Sequence, residues 1–140
     1  MVGVLLVTHN GLGDSFVECV KHVLGEVPRN LKVLTVLAGD EPQLKLVEGQ
    51  ALVKQLDTGG GVLVLSDVFG ATPSNIGRQL CRAERVAGVA GVNLPMLLRV
   101  MCSSGKTLPE LAEIAIEGGR ECIVHIDSEG CDVAKKCADR

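Results

Sequence analysis

Five short runs rich in Val, Leu and Ile punctuate this chain, and longer stretches with helical spacing lie between them. The runs are Gly3 to Thr8, Leu31 to Leu37, Val62 to Asp67, about Val86 to Val92, and Cys122 to Ile126. Strands this uniformly aliphatic need cover on both faces, and strands that alternate with helices pair in parallel through βαβ units. The expected fold class is therefore α/β, a doubly wound, mostly parallel sheet flanked by helices.

The helices carry their own signals. Ser15 to Leu24 places Phe16, Val17, Val20, Val23 and Leu24 on one face, with Gly25 to end it. Asp40 and Gln43 are spaced as a capping box for a helix through Leu44, Val47, Ala51, Leu52 and Leu56. Thr72 is placed to cap a helix with Pro73 at its first position, where a missing N–H costs nothing. Pro95 opens a short helix carrying Met96, Leu97, Leu98 and Val100, and Thr107 with Glu110 forms a second capping box for a helix to Arg120. With no repeat or linker, the chain reads as one domain over 1–127 and a polar tail over 128–140.

Composition narrows the function. The chain has two Phe, no Trp and no Tyr, so it lacks platforms for stacking on bases, and its net charge of −3 offers no field to attract a polyanion. Nucleic acid is not expected as a partner. No apolar run approaches the roughly 18–20 residues that span a bilayer, so no direct membrane insertion is expected. Met1 to Val7 reads as the first strand, not a signal peptide. The six cysteines show no C-x-x-C spacing and four sit in or beside apolar segments, which predicts reduced thiols in a cytoplasmic protein. Cys131 and Cys137, in the polar tail, stand apart.

In doubly wound sheets, ligands bind outside the carboxyl ends of the strands, where the strand order reverses. The first run ends in Thr8-His9 and the third in Ser66-Asp67, so neighbouring first and third strands would bring His9 and Asp67 together. A neutral imidazole is a nucleophile near pH 7, and a carboxylate on one ring nitrogen fixes the tautomer that leaves the other free. The helix starting at Thr72 would aim unpaired N–H groups and its positive dipole end at the same point. The phosphoryl-binding group is expected to be Thr8, Asn10, Gly11, Gly70, Ala71 and Thr72. No metal and no cofactor is required. Read separately, each feature has a plainer meaning: a structural or solvated histidine, an aspartate that caps a turn, a helix start. His22 and His125 are read as structural.

Several blocks resemble the mannose-family enzyme IIA component of the bacterial phosphoenolpyruvate-dependent sugar phosphotransferase system. They are Val4-Leu5-Leu6-Val7-Thr8-His9, Leu56-Asp57-Thr58, the stretch from Gly61 through Ser66-Asp67-Val68-Phe69-Gly70-Ala71-Thr72-Pro73-Ser74-Asn75, Ala90-Gly91-Val92-Asn93-Leu94-Pro95-Met96-Leu97, and Ala115-Ile116-Glu117-Gly118-Gly119-Arg120-Glu121. They fall in order over roughly residues 2 to 127. The resemblance implies a histidine phosphotransferase: a carrier that takes a phosphoryl group from the carrier protein HPr and passes it to an enzyme IIB domain. It implies that His9 is phosphorylated on the nitrogen not held by Asp67, and that Thr72 with neighbouring amides steadies the phosphoryl oxygens. It also implies a homodimer, in which the last strand, Cys122 to Ile126, crosses to the partner's sheet. Three positions depart from the family's habit. Asn10 stands where Gly is common, Phe69 (after Val68) where Trp is frequent, and Gly70-Ala71-Thr72 replaces small-Gly-Ser.

Other readings share the same residues. The phosphoryl-donor subunit of a dihydroxyacetone kinase would use the same kind of histidine, and a regulatory branch would carry no sugar at all. A flavodoxin-like module would cradle a phosphate-bearing ligand in the Thr8 to Asp14 loop without catalysis, but Trp and Tyr are missing and a His stands where that cradle needs hydroxyls. A serine hydrolase would need a G-x-S-x-G elbow, which is absent.

Overall fold

The computed structural model describes residues 1–82 and 85–128. Strands β1 (Gly3–His9), β2 (Leu31–Val36), β3 (Val62–Ser66) and β4 (Val86–Ala90) form one all-parallel sheet in the order β2-β1-β3-β4. Helices α1 (Leu12–Leu24), α2 (Pro42–Leu56), α3 (Thr72–Leu80), α4 (Leu94–Met101) and α5 (Leu108–Glu121) complete the domain. The central strands explain the aliphatic runs. Every residue of β3 is buried, and β1 is buried up to Thr8.

Side chains alternate across this pleat. Val4, Leu6, Leu63 and Leu65 face one layer with Val20, Leu97, Leu98 and Leu111. Leu5, Val7, Val62 and Val64 face the other with Leu34, Ile76 and Leu80. Fully burying a Val or Leu contributes about 1.5–3 kcal/mol, against about 1 kcal/mol net for a hydrogen bond. Side-chain burial therefore sets the register, because a slip of one residue would turn both sets to the wrong face.

Local signals are partly realised. Gly25 ends α1 in the left-handed region at φ 90°, its N–H donating to the Lys21 carbonyl. The threonine half of the Thr107–Glu110 box forms, Thr107 Oγ1 accepting from Glu110 N–H at 3.4 Å while its hydroxyl donates to Glu110 Oε1 at 2.9 Å. The Asp40–Gln43 box does not. Asp40 Oδ2 instead accepts from Leu37 N–H at 2.7 Å, closing the turn after β2, and α2 begins at Pro42 with no side-chain cap. Helix α1 starts at Leu12, ahead of the expected Ser15, because Gly11 already serves as its N-cap.

Two expectations about the C-terminal part are not met in the single chain. Cys122 to Ile126 forms no strand among the described residues. The α5 helix runs to Glu121, a turn from Arg120 carries the chain away, and Ile123, Val124 and Ile126 stay exposed without reaching a sheet edge. Cys102 and Cys122 are disulfide-bonded, not reduced, whereas Cys19 and Cys81 are free. Bridging depends on the approach of Cβ atoms in space, which apolar sequence context does not report. Cys131, Cys137 and the tail from residue 129 onward lie outside the described residues.

The block Leu56-Asp57-Thr58 has a structural role at the amino end of β3, away from His9. Asp57 takes a two-pronged bond from Arg85 (2.7 and 2.8 Å) and accepts from the N–H groups of Gly59 and Gly61. The Arg85 bond, followed by the Gly59 bond, holds its carboxyl far below the ordinary aspartate range. Gly61 lies at φ 84°, and a Cβ there would meet the Arg85 carbonyl oxygen at 2.6 Å. Gly61→Ala is expected to cost about 2–4 kcal/mol, combining left-handed strain with overpacking. Gly39→Ala, which meets nothing within 4 Å, is expected to stay within about 0.5 kcal/mol. Urea midpoints of the two variants check the difference.

Candidate functional site

The connection from β1 to β2 runs through α1 on one face of the sheet, and that from β3 to β4 runs through α3 on the other. The two chain paths part between β1 and β3, which opens a crevice at the carboxyl ends of those strands. The register there pairs Val7 with Ser66, so Asp67 emerges beside Thr8 and one position from His9.

His9 and Asp67 meet in that crevice. Asp67 Oδ2 accepts from the His9 backbone N–H at 2.9 Å and lies 2.8 Å from His9 Nδ1. Asp67 Oδ1 accepts from Val68 N–H at 2.9 Å. Burial of Asp67 pushes its carboxyl upward, but the bonds from His9 N–H, the His9 ring and Val68 N–H outweigh it and leave the group below its ordinary 3.8. It is therefore a carboxylate at neutral pH and can only accept. The proton of a neutral His9 then belongs on Nδ1, and Nε2 keeps its lone pair. The Asp67 side chain is 6% exposed and that of His9 46%, so the clamp is sheltered while the ring opens to solvent.

The expected cradle is only partly assembled from the expected groups. Asn10 adopts φ 51°, the one left-handed non-glycine among the described residues, and its N–H donates to the Val36 carbonyl. Asn tolerates this conformation better than most residues. Gly11 is the N-cap of α1. Thr8 is fully buried, its hydroxyl accepting from Gly13 N–H at 2.8 Å, so it braces the loop from beneath instead of facing a ligand. Gly70, at φ 89°, has its N–H committed to Ser74 Oγ at 2.8 Å. Ala71, not Thr72, is the N-cap of α3, and it offers no side-chain bond. Thr72 is the exposed first residue of that helix. His22 and His125 are exposed, in the last turn of α1 and beyond α5.

Sequence reasoning missed Gly13 and Ser74. A Cβ on Gly13 would meet Val33 Cγ1 at 2.6 Å and Thr8 Oγ1 at 2.8 Å, so α1 can approach the sheet only with glycine there. The Gly11-Leu12-Gly13 spacing was the available signal. Ser74 sits in the Thr72-Pro73-Ser74-Asn75 helix start, where its type alone does not distinguish a surface hydroxyl from a buried one. Phe69 projects 72% exposed from the loop after β3, with the Arg78 guanidinium 5.6 Å from its ring centre.

A family described as the PTS system fructose IIA component matches residues 3–116. This chain belongs to that family. The mannose-specific EIIAB component of Escherichia coli (strain K12) is 28% identical over 123 residues, covering 86% of this chain and 38% of that protein. The chain thus spans about two-fifths of the length of that relative. The fructose-specific EIIA component of Bacillus subtilis (strain 168) is 29% identical over 102 residues, covering 72% of this chain and 69% of that one. Among solved structures, a phosphotransferase system component EIIA from Streptococcus agalactiae matches with TM-score 0.80 and 23% identity, covering 89% of this chain and 97% of that one. The mannose/sorbose-specific IIA subunit from Enterococcus faecalis matches with TM-score 0.80 and 21% identity, covering 93% and 98%. These two likenesses carry the fold.

The depressed carboxyl of Asp67 has a stability consequence with a definite sign. A group whose pKa is lower when folded contributes stability above its unfolded value, 3.8 here, and loses it as the pH falls through the folded value. Between about pH 5 and pH 2 wild type should therefore lose more stability than Asp67→Asn, read as the shift in urea midpoint. Equal acid slopes in the two proteins would mean that the fold does not hold the Asp67 carboxyl below its unfolded value.

Proposed function

We propose that this IIA-family chain is a phosphoryl carrier that accepts phosphate from phospho-HPr on His9 and passes it to an enzyme IIB domain. The observation that carries this reading is the Asp67 clamp on Nδ1, which leaves Nε2 as the nucleophile at the mouth of the crevice. The Nε2 lone pair attacks phosphorus as the bond to the donor's imidazole nitrogen breaks. The ring becomes cationic, and the adjacent Asp67 carboxylate stabilises that charge. Transfer onward reverses the step toward the acceptor. Little covalent work falls to the protein, so positioning and electrostatics do most of it.

The alternatives find less support. The Thr8 hydroxyl that a flavodoxin-like cradle would use is buried and bonded to Gly13. The relatives named above are described as components of the PTS system, which favours the sugar phosphotransferase reading over a dihydroxyacetone kinase subunit. Among the described residues no helix is long and apolar enough to cross a membrane. We place the carrier in the cytoplasm on the strength of its proposed donor. Among the described residues, the disulfide-bonded state of Cys102 and Cys122 is a feature more usual in oxidising compartments.

We also propose that two copies associate by exchanging Cys122 to Ile126 onto the outer edge of β4. Two grooves flank that edge, one of about 290 Å³ against α3 and one of about 430 Å³ against α5. Ile123, Val124 and Ile126 are 76, 46 and 103% exposed in the single chain, an apolar run in need of cover. Light scattering should give twice the chain mass, and Ile126→Asp should shift it toward the monomer. A monomeric wild type at micromolar concentration would contradict the exchange.

Intact mass after incubation with phosphoenolpyruvate, enzyme I and HPr tests the carrier reading. Wild type should gain one acid-labile phosphoryl group, and His9→Ala should gain none while remaining folded. Asp67→Asn should transfer at least about 10-fold more slowly, because the amide cannot fix the same tautomer or offset the cationic ring. A His9→Ala variant that is still phosphorylated would move the site elsewhere.

A further inference from the structure

The segment from Asp67 to Thr72 joins the two halves of the site. Its first residue holds His9, and its last opens α3, whose amino end faces the crevice. Whether amides at the far end can reach a phosphoryl group on His9 depends on the shape of this loop. Two restraints set that shape. One is the bond from Val68 N–H to Asp67 Oδ1, 2.9 Å. The other is Ser74, two residues into the helix and only 9% exposed.

Ser74 Oγ donates to the Ala71 carbonyl at 2.9 Å and accepts from Gly70 N–H at 2.8 Å. The same Ala71 carbonyl receives the first helical bond, from Asn75 N–H at 3.0 Å. One hydroxyl therefore pins both sides of the left-handed bend at Gly70 to the first turn of the helix. It also decides which donors remain. Gly70 N–H is spent, Pro73 has none, and Ala71 brings no capping oxygen. Among the described residues the N–H groups of Ala71 and Thr72 have no partner, and both lie at the positive end of the helix dipole.

We infer that Ser74 is a positioning residue for the proposed phosphoryl transfer. It locks the loop so that the Ala71 and Thr72 amides are preset toward the oxygens of a phosphoryl group on His9, without touching that group itself. The inference rests on the carrier reading and adds to it the residue that holds the anion-binding amides in place. Preset donors stabilise developing charge without reorganising during the reaction, so loosening them should slow transfer more than it weakens the protein.

The test is single-turnover phosphorylation of the full chain by phospho-HPr, followed by the lifetime of the phosphohistidine at neutral pH. Ser74→Ala should be about 10-fold slower in the saturated transfer rate, with little change in the HPr concentration giving half that rate. Its phosphohistidine should also hydrolyse faster. Ser74→Thr, which keeps the hydroxyl, should recover to within about threefold of wild type. Should the alanine variant fail to fold, Ser74→Cys keeps the volume while weakening both bonds, and the same slowing is expected. A folded Ser74→Ala or Ser74→Cys protein that transfers at the wild-type rate would overturn the inference and leave the carrier reading intact. A wild type that gains no phosphoryl group would overturn both.

Discussion

The parallel pairing of β1 with β3, Val7 against Ser66, is the constraint on which the rest of the molecule depends. Both strands are buried on both faces, so their aliphatic residues alternate into two layers, and a slip of one residue would send each set into the layer packed for the other. That pairing also sets the chemistry. It makes the strands end together, so His9 and Asp67 leave the sheet at adjacent positions with their contact already determined by backbone geometry. The bond from the His9 backbone N–H to the carboxylate that also holds its ring is the visible sign of this coupling.

Around that contact the protein arranges charge with few groups. Asp67 is sheltered enough for burial to work against its ionisation, and three bonds restore the carboxylate. The net effect is a fixed negative charge beside one imidazole nitrogen, which leaves the other free. Hydroxyl-bearing residues support this arrangement from behind: Thr8 secures the entry to α1 through Gly13, and Ser74 secures the entry to α3 through Gly70 and Ala71. The exposed groups, Thr72 and the Phe69 ring beneath Arg78, lie outside these braces, where an approaching protein would meet them.

Much of this was legible in the sequence because it depends on patterns of burial. Aliphatic runs bounded by turns located all four strands of the sheet, and the rule of carboxyl strand ends singled out His9 and Asp67 before any contact was known. Signals that depend on competition between neighbours were harder to read. Asp40 has the residue type and spacing for a cap, yet the Leu37 amide takes its oxygen first. Thr72 was expected to cap α3, but the helix starts one residue earlier and the working hydroxyl is that of Ser74. Thr8 lies one residue before the end of β1 at the site, but strand alternation turns it inward. The disulfide state of Cys102 and Cys122 and the unpaired course of residues 122–126 depend on distances between segments, which one-dimensional spacing does not encode.

The central claim is that Asp67 directs the chemistry of His9 to a single nitrogen, and nitrogen-15 NMR of the His9 imidazole tests it most directly. Before reaction the neutral form of the ring should carry its proton on Nδ1, and after phosphorylation a phosphorus–nitrogen coupling should appear at Nε2 alone. A ring protonated on Nε2, or phosphate carried on Nδ1, would contradict it, because the Asp67 contact would then occupy the nitrogen that reacts.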